Sequence, residues 1–426
     1  MSGERLVRAI GRYDLTAAIV NAVIGSAVFS MPALIAGHVG PLAPVAYLVA
    51  GLGVLSFALC FAEVASRFRE AGGPYLYVRE AFGPHLGFQA GWLTFWIRVT
   101  SMAANLNVFA DYLAQSLPAA GSPGGRMLTM ALVIGVITLI NVIGVRQATW
   151  TVDFFTVAKL LPLVLLIGLG LLSVRGAVIA TQAVTDSHWA QAVLLLMFAY
   201  GGFEAPLIPA GETKDPRKDT AFALLTALFV IASVYMLVQI VVIGVVPNVA
   251  SLKAPVAAAF ERLLGPAGLL LASLAAMISI YGWATGSVLQ SPRVLYSMAE
   301  EGDLPRVLAS VHDRFRTPHV AILVYAGLAL ALAFYGSFEW NATLSAIVRL
   351  VTYGLTCAAL PVLRRRAKEV AGFTLKGAQA VVPIAIGFAL WLLSTRTFSQ
   401  AWILLALMGV GALLFALQRS TRIAKA

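Results

Sequence analysis

Twelve long apolar segments run through this chain of 426 residues, and they constrain its fold more than any other feature. A bilayer core takes about 20 residues of helix to cross, and lipid offers no hydrogen bonds to an open backbone. The sequence therefore predicts an all-α multi-pass membrane protein with twelve transmembrane helices. The segments lie near residues 15–36, 42–66, 86–114, 127–146, 152–173, 189–209, 220–246, 266–290, 318–335, 341–363, 378–395 and 399–418.

The net charge of +11 allows two interpretations, a nucleic-acid surface or a topology signal. If the chain starts inside, 22 of the 30 lysines and arginines lie on the inner side and 5 on the outer side. The other three, Arg98, Lys159 and Arg349, lie within segments. This asymmetry predicts that both termini are cytoplasmic. A nucleic-acid surface would need the charges clustered on one soluble domain, so we expect contacts with lipid headgroups and none with nucleic acid.

The sequence shows no pattern typical of an enzyme or a metal protein. Cys60 and Cys357 each lie in an apolar segment, which is typical of a buried thiol. The five histidines lack the spacing of a metal site, so no metal or other cofactor is expected. A nucleophile–base constellation is also missing. We therefore predict one membrane domain over residues 1–426 that is not an enzyme. A channel is the alternative from a different class, although a filter loop or pore ring is not evident.

The first segment carries a predicted break. Residues 21–32 read N-A-V-I-G-S-A-V-F-S-M-P, with Gly25, Ser26 and Ala27 near the middle of the span. A broken helix is tolerated in a membrane only where it lines a cavity. The half-helix after the break would present N–H groups that suit a carboxylate. A glycine at a close-packed helix interface is the alternative.

A second break is predicted in the sixth segment, where Tyr200 is followed by Gly201 and Gly202. Paired glycine-interrupted spans at corresponding positions indicate a transporter binding site. The two breaks lie five spans apart, and an odd-numbered repeat inverts its second copy in the membrane. We therefore predict two inverted repeats of five helices, approximately 13–173 and 187–363, followed by two extra helices within 378–418.

Four short motifs in the predicted order resemble a known family. The chain is identified as a member of the amino acid–polyamine–organocation (APC) superfamily, closest in pattern to the L-type amino acid transporter branch. The resemblance covers nearly the whole chain and implies the LeuT-type fold with broken helices 1 and 6. The motifs are residues 24–29 (I-G-S-A-V-F), 198–204 (F-A-Y-G-G-F-E), 212–217 (E-T-K-D-P-R) and Arg293 with Tyr296 and 302–305, followed by 316–318.

The resemblance also implies a substrate site at the two breaks. Backbone N–H groups around Gly25 and the Ser26 hydroxyl would bind the substrate carboxylate, carbonyl groups of both breaks would bind its ammonium group, and Phe198 resembles the aromatic gate. The family usually has glycine where Ala27 stands, so a smaller pocket is expected. The expected substrate-binding residues are Ala22, Val23, Ile24, Gly25, Ser26, Ala27, Phe198, Ala199, Tyr200, Gly201 and Gly202.

Charged residues within the spans are expected to be functional. By resemblance, Lys159 matches the fifth-span lysine of sodium-independent relatives and is the expected coupling residue. It could either exchange a proton or act as a fixed charge on helix one. Glu204 is expected at the start of a half-helix or in gating. Arg98 and Arg349 need partners, and Glu204, Asp111 and Asp153 are the candidates.

The sequence and the resemblance together predict a sodium-independent secondary transporter of neutral amino acids that works by alternating access. Alternatives with the same fold are an exporter or exchanger without proton coupling, and a carrier of cationic amino acids or polyamines that uses Glu204. The expected partners are an amino acid substrate, membrane lipid and, if Lys159 titrates, protons. Residues 115–126 contain no cysteine, so no disulfide-linked subunit is expected. The short termini predict the plasma membrane of a prokaryote.

Overall fold

The computed structural model describes residues 11–68, 72–144, 149–206, 216–366 and 372–423. These residues form α-helices joined by turns and short 3-10 helices, and no strand occurs among them. In chain order the α-helices are α1 Arg12–Val23, α2 Ala27–Val39, α3 Ala43–Ser66, α4 Gly73–Phe82, α5 Pro84–Ser116, α6 Pro123–Ile143, α7 Thr149–Leu171, α8 Gly176–Ala180, α9 Trp189–Ala199, α10 Pro216–Val245, α11 Pro255–Leu264, α12 Pro266–Glu300, α13 His319–Tyr335, α14 Phe338–Arg366, α15 Ala378–Ser394 and α16 Phe398–Ile423.

Six helical stretches are long and apolar enough to cross a membrane, which makes this a multi-pass membrane protein. Four shorter apolar helices accompany them: Val157–Leu171, Trp189–Ala199, His319–Tyr335 and Ala378–Ser394. The six long stretches are Ala27–Ser66, Pro123–Ile143, Asp219–Val245, Pro266–Glu300, Phe338–Arg366 and Phe398–Ser420.

Every predicted apolar segment contains a helix, and two segments are interrupted. Segment 15–36 holds both α1 and α2, and segment 189–209 holds α9 followed by turns. The 33-residue α5 is buried along most of its length although it is too polar to count among the apolar helices. The sequence analysis did not predict the short amphipathic helices α4 and α11. Each has proline in its first turn and glycine just past its end, and these residues commonly mark the start and end of a helix.

The polar helix α5 lies at the centre of the packing. It contacts α4, α12, α13 and α14, while α10 packs against α1 and α3. The helices α6 and α16 lie at the periphery, because only 28% and 11% of their most apolar stretches are buried inside the protein. Leucines such as Leu128, Leu132 and Leu139 on α6 are exposed. An apolar exposed face suits lipid contact, while polar residues of α5 such as Arg98 and Asn105 are buried inside the bundle.

Candidate functional site

The first break separates α1 from α2. Helix α1 ends at Val23 and α2 begins at Ala27. The backbone N–H of Ser26 donates to Asn105 Oδ1 at 3.1 Å, whereas the Ser26 Oγ atom is buried without a hydrogen-bond partner among the described residues. The amides of Ala27 and Val28 likewise find no acceptor in the described part of the chain, as expected at a helix start. Helix α2 therefore begins with unpaired donors.

The second break follows α9, which ends at Ala199. Gly202 has a φ of +117°, and a Cβ atom there would lie 2.7 Å from the carbonyl oxygen of Ala22. A Cβ atom on Gly201 would overlap the guanidinium group of Arg349. Both glycines are thus required by close approach. One brings the second break onto the first, and the other makes room for an arginine.

A cavity lies between the two breaks and the central helices. Its space for a water-sized sphere is only about 20 Å³, enough for about one water molecule. An amino acid could enter only if the surrounding side chains or helices moved. The cavity is lined by Val23, Gly25, Ser26, Ala27, Arg98, Ser101, Asn105, Phe198, Gly201, Gly202, Trp283 and Arg349.

Lys159 of α7 binds the first break and is not among the residues that line the cavity. The side chain is completely buried, and its Nζ atom donates to the carbonyl oxygens of Asn21 at 3.1 Å and Ile24 at 2.8 Å. These two carbonyls belong to the last turn of α1 and its end, where the helix carries partial negative charge. The ammonium group of Lys159 therefore occupies a position suited to a cation.

A buried ion pair joins α5 to the second break. Arg98 Nη2 lies 3.1 Å from Glu204 Oε1, and Tyr353 of α14 donates its hydroxyl to Glu204 Oε2 at 2.6 Å. The backbone N–H of Gly202 donates to the same Oε2 atom at 3.0 Å. Of the three candidate carboxylates, Glu204 is therefore the one that pairs with Arg98. Asp111 pairs instead with Arg126, and the side chain of Asp153 lies outside the described residues.

Arg349 lines the cavity without a comparable partner. The residue is 2% exposed, and neither its Nε atom nor its Nη1 atom makes a hydrogen bond among the described residues. Its Cζ atom lies 5.9 Å from the ring centre of Tyr353. The fork of donors is therefore buried, charged and available.

The carbonyls expected to bind an ammonium group are partly occupied by the protein. Trp283 Nε1 donates to the Ala22 carbonyl at 3.0 Å. The Tyr235 hydroxyl lies 3.3 Å from the carbonyl oxygens of both Val23 and Ala199, so this one side chain of α10 links the two breaks. A carbonyl oxygen has two lone pairs, so these contacts narrow the ammonium subsite without excluding it.

Seven of the eleven predicted substrate-binding residues line the cavity, and four do not. Ala22, Ile24, Ala199 and Tyr200 lie outside the lining. The hydroxyl of Tyr200 donates to the Tyr47 carbonyl at 3.1 Å, so its side chain packs against α3. Phe198, the expected gate, lines the cavity and packs edge-on against Phe338. Residues 212–215 of the motif at 212–217 lie outside the described residues, and its last two residues, Pro216 and Arg217, begin α10.

Sequence reasoning missed two tyrosines of the site. Tyr235 and Tyr353 lie in apolar helices, where an aromatic residue usually serves packing, and their hydroxyl groups were given no role. Both are fully buried, and a buried tyrosine hydroxyl usually finds a polar partner. A tyrosine in an otherwise apolar span was therefore the available signal. Trp283 also lines the cavity.

A helical membrane protein whose interrupted helices enclose a polar cavity has the arrangement of a secondary transporter. The chain belongs to the amino acid permease family, because the sequence model of that family matches residues 10–416. It is an amino acid transporter of the APC superfamily, which confirms the resemblance seen in the sequence.

The curated relatives are amino acid transporters of the L-type branch. The serine/threonine exchanger SteT of Bacillus subtilis (strain 168) is 27% identical over 372 residues, which are 85% of each chain. The large neutral amino acids transporter small subunit 2 of Homo sapiens is 30% identical over 390 residues, 86% of this chain and 72% of the relative. The Asc-type amino acid transporter 1 of Homo sapiens is 30% identical over 379 residues, 85% and 72% of the two chains.

Proposed function

We propose that this protein exchanges neutral amino acids across the plasma membrane by alternating access, without sodium. The observation that carries the proposal is the row of unpaired donors at the start of α2, at the same cavity as the second break. The Ser26 hydroxyl and the amides of Ala27 and Val28 suit a substrate carboxylate. The names of the relatives, which include an exchanger and a large neutral amino acids transporter, support the substrate class.

We further infer that twelve helices span the membrane as two inverted repeats, 13–173 and 187–363, with two extra helices at 378–418. The interruptions after α1 and after α9 support this, because they fall at corresponding positions of the two halves. The distribution of basic residues supports cytoplasmic termini. The cell of origin is proposed to be prokaryotic. The only partners proposed are the amino acid and membrane lipid, with no disulfide-linked subunit and no enzymatic activity.

Lys159 supports independence from sodium. Its ammonium group donates to two carbonyls at the end of α1, where a metal cation would otherwise find oxygen ligands. One relative is named as an exchanger, and this supports substrate exchange over proton symport. We propose that Lys159 then acts as a fixed charge that binds the two carbonyls at the end of α1.

The contacts of Glu204 disfavour a carrier of cationic amino acids or polyamines. Such a carrier would use the Glu204 carboxylate to bind a positive side chain. That carboxylate is already held by Arg98, Tyr353 and the Gly202 amide. A cationic substrate would also approach two arginines in the cavity lining.

The test is counterflow in proteoliposomes that contain the purified protein. Vesicles are loaded with unlabelled L-serine and diluted into radiolabelled L-serine, with sodium or choline outside and with or without a proton gradient. We expect internal serine to accelerate uptake, with no effect of sodium or of an uncoupler. Empty liposomes are the control. Uptake that requires sodium, or that ignores internal substrate and follows the proton gradient, would contradict the proposal.

A further inference from the structure

The cavity carries more positive than negative charge. Arg98 and Arg349 are the charged side chains that line it among the described residues. The carboxylate of Glu204 forms an ion pair with Arg98, and no ion pair joins it to Arg349. Glu204 also lies within electrostatic reach of Arg349 without touching it, so among the described residues one carboxylate serves two guanidinium groups and the site keeps an excess positive charge.

The position of Arg349 suits a ligand better than a structural role. The residue is 98% buried, and two of its nitrogen atoms lack partners. A buried charge without hydrogen bonds is strongly unfavourable, so proteins rarely keep one that pairs with nothing. Gly201 has no side chain where the guanidinium lies, so the backbone itself makes room for it. A planar guanidinium donates two parallel hydrogen bonds to a carboxylate.

A second anion subsite lies at the same cavity. The start of α2 presents the buried Ser26 hydroxyl and the amides of Ala27 and Val28, none of which has a hydrogen-bond partner among the described residues. Helix α2 is 13 residues long, so its N-terminus carries the partial positive charge of a full helix. The cavity thus offers two separate groups that would each take a carboxylate.

We propose that Arg349 binds the side-chain carboxylate of an acidic amino acid while the start of α2 binds its α-carboxylate. The inference rests on the proposed amino acid exchange and adds acidic amino acids to the neutral substrates of the same site, with the acids bound more tightly. An acidic amino acid carries two carboxylates and one ammonium group, and its net negative charge balances the excess positive charge of the cavity. Neutral amino acids enter the same site but leave Arg349 unpaired.

The experiment compares acidic amino acids with their amides, which match them in shape and differ in charge. Counterflow of radiolabelled L-serine is measured with L-glutamate against L-glutamine, and with L-aspartate against L-asparagine, as competitors. We expect each acid to compete about tenfold better than its amide, as a charged hydrogen-bonded pair would favour. Radiolabelled L-glutamate should itself be exchanged. Glutarate, which has both carboxylates but no amine, should compete at least about tenfold less well than glutamate.

Two variants assign the preference to Arg349. Arg349→Gln removes the charge and should lower the acid-to-amide ratio about tenfold. Arg349→Lys keeps the charge but loses the fork and should give an intermediate ratio. Arg262→Gln removes an exposed arginine on α11 and should leave the ratio unchanged. Folding is checked by gel filtration and thermal melting, and if Arg349→Gln does not fold, the wild type and Arg349→Lys are compared.

The inference is overturned if the wild type prefers the amides, if the ratio is the same in the wild type and in the folded Arg349 variants, or if glutarate competes as well as glutamate. Exchange of glutamine without glutamate would end this inference and leave the proposed function intact. If neither serine nor glutamine is exchanged, the proposed function itself fails. The two failures are therefore distinguishable in one set of vesicles.

Discussion

Replacement of Lys159 by methionine is the sharpest perturbation of the first break. Methionine has a similar length and removes only the charge and the donors. The two carbonyls that the ammonium group now binds, at 3.1 and 2.8 Å, would lose this donor, Ile24 in a fully buried place and Asn21 in a partly buried one. We expect the end of α1 to lose its position relative to α2, and exchange to fall with it.

The size of the effect follows from these two hydrogen bonds. A buried acceptor left without a partner costs about 1–3 kcal/mol, so the two carbonyls together cost about 2–6 kcal/mol. Part of this is offset because the variant no longer buries an ammonium group. A net loss of about 3 kcal/mol corresponds to roughly a hundredfold decrease in the rate of exchange at low substrate.

The assay is serine counterflow in proteoliposomes, with Lys253→Met as the matched control because Lys253 is exposed on the surface. Lys159→Arg separates the two accounts of this lysine. If Lys159 titrates, an inward proton gradient should drive wild-type uptake and Lys159→Arg should lose that drive, since arginine keeps its proton. We expect no such drive in the wild type. A Lys159→Met protein that exchanges as fast as the control would refute the reasoning.

Three further predictions concern the topology, the carboxylate site and the ion pair. A cysteine introduced at Ser122 should react with a membrane-impermeant thiol reagent added outside the cell, and a cysteine at Lys368 should not. Lys368 does not belong to the described residues. The reverse pattern would contradict the inverted repeat. Gly25→Val should abolish exchange while the protein still elutes normally in gel filtration. The valine Cβ atom alone would lie 3.3 Å from Asn105 Oδ1, and its methyl groups would fill the cavity. Normal exchange would count against the carboxylate site. Glu204→Gln should lower the melting temperature of the purified protein, because it removes the charge that pairs with the buried Arg98. Breaking a buried ion pair in this way costs about 3–5 kcal/mol of stability. An unchanged melting temperature would show that the pair contributes little.

The helices and their interruptions could be predicted because both depend on local chemistry. An apolar run in lipid must be helical, and a glycine beside a serine in mid-span weakens a helix at a predictable place. The structure ends α1 at Val23 and begins α2 at Ala27, around the predicted Gly25 and Ser26. Arg98, Ser101 and Asn105 line the cavity together, because residues three and seven positions apart fall on one face of a helix.

The pairing of charges could not be predicted, because it depends on how distant helices pack. Arg98 and Glu204 lie 106 residues apart, and Asp111 was an equal candidate until the structure paired it with Arg126. The role of Tyr235 could not be predicted for a similar reason. Its hydroxyl group contacts two helix ends that lie far apart in the sequence.

The charges around the first break give one account of both the coupling and the substrate. Lys159 donates to carbonyls at the end of α1, Arg98 and Arg349 line the cavity, and the single carboxylate of Glu204 offsets one of these three positive charges. Two unit charges 4 Å apart interact by about 4 kcal/mol at an effective dielectric constant of 20. A sodium ion that entered here would meet repulsion of this order, whereas a carboxylate would be attracted by the same amount. The arrangement by which we propose that Lys159 takes the place of sodium at the break is thus the one that favours a substrate with an additional negative charge.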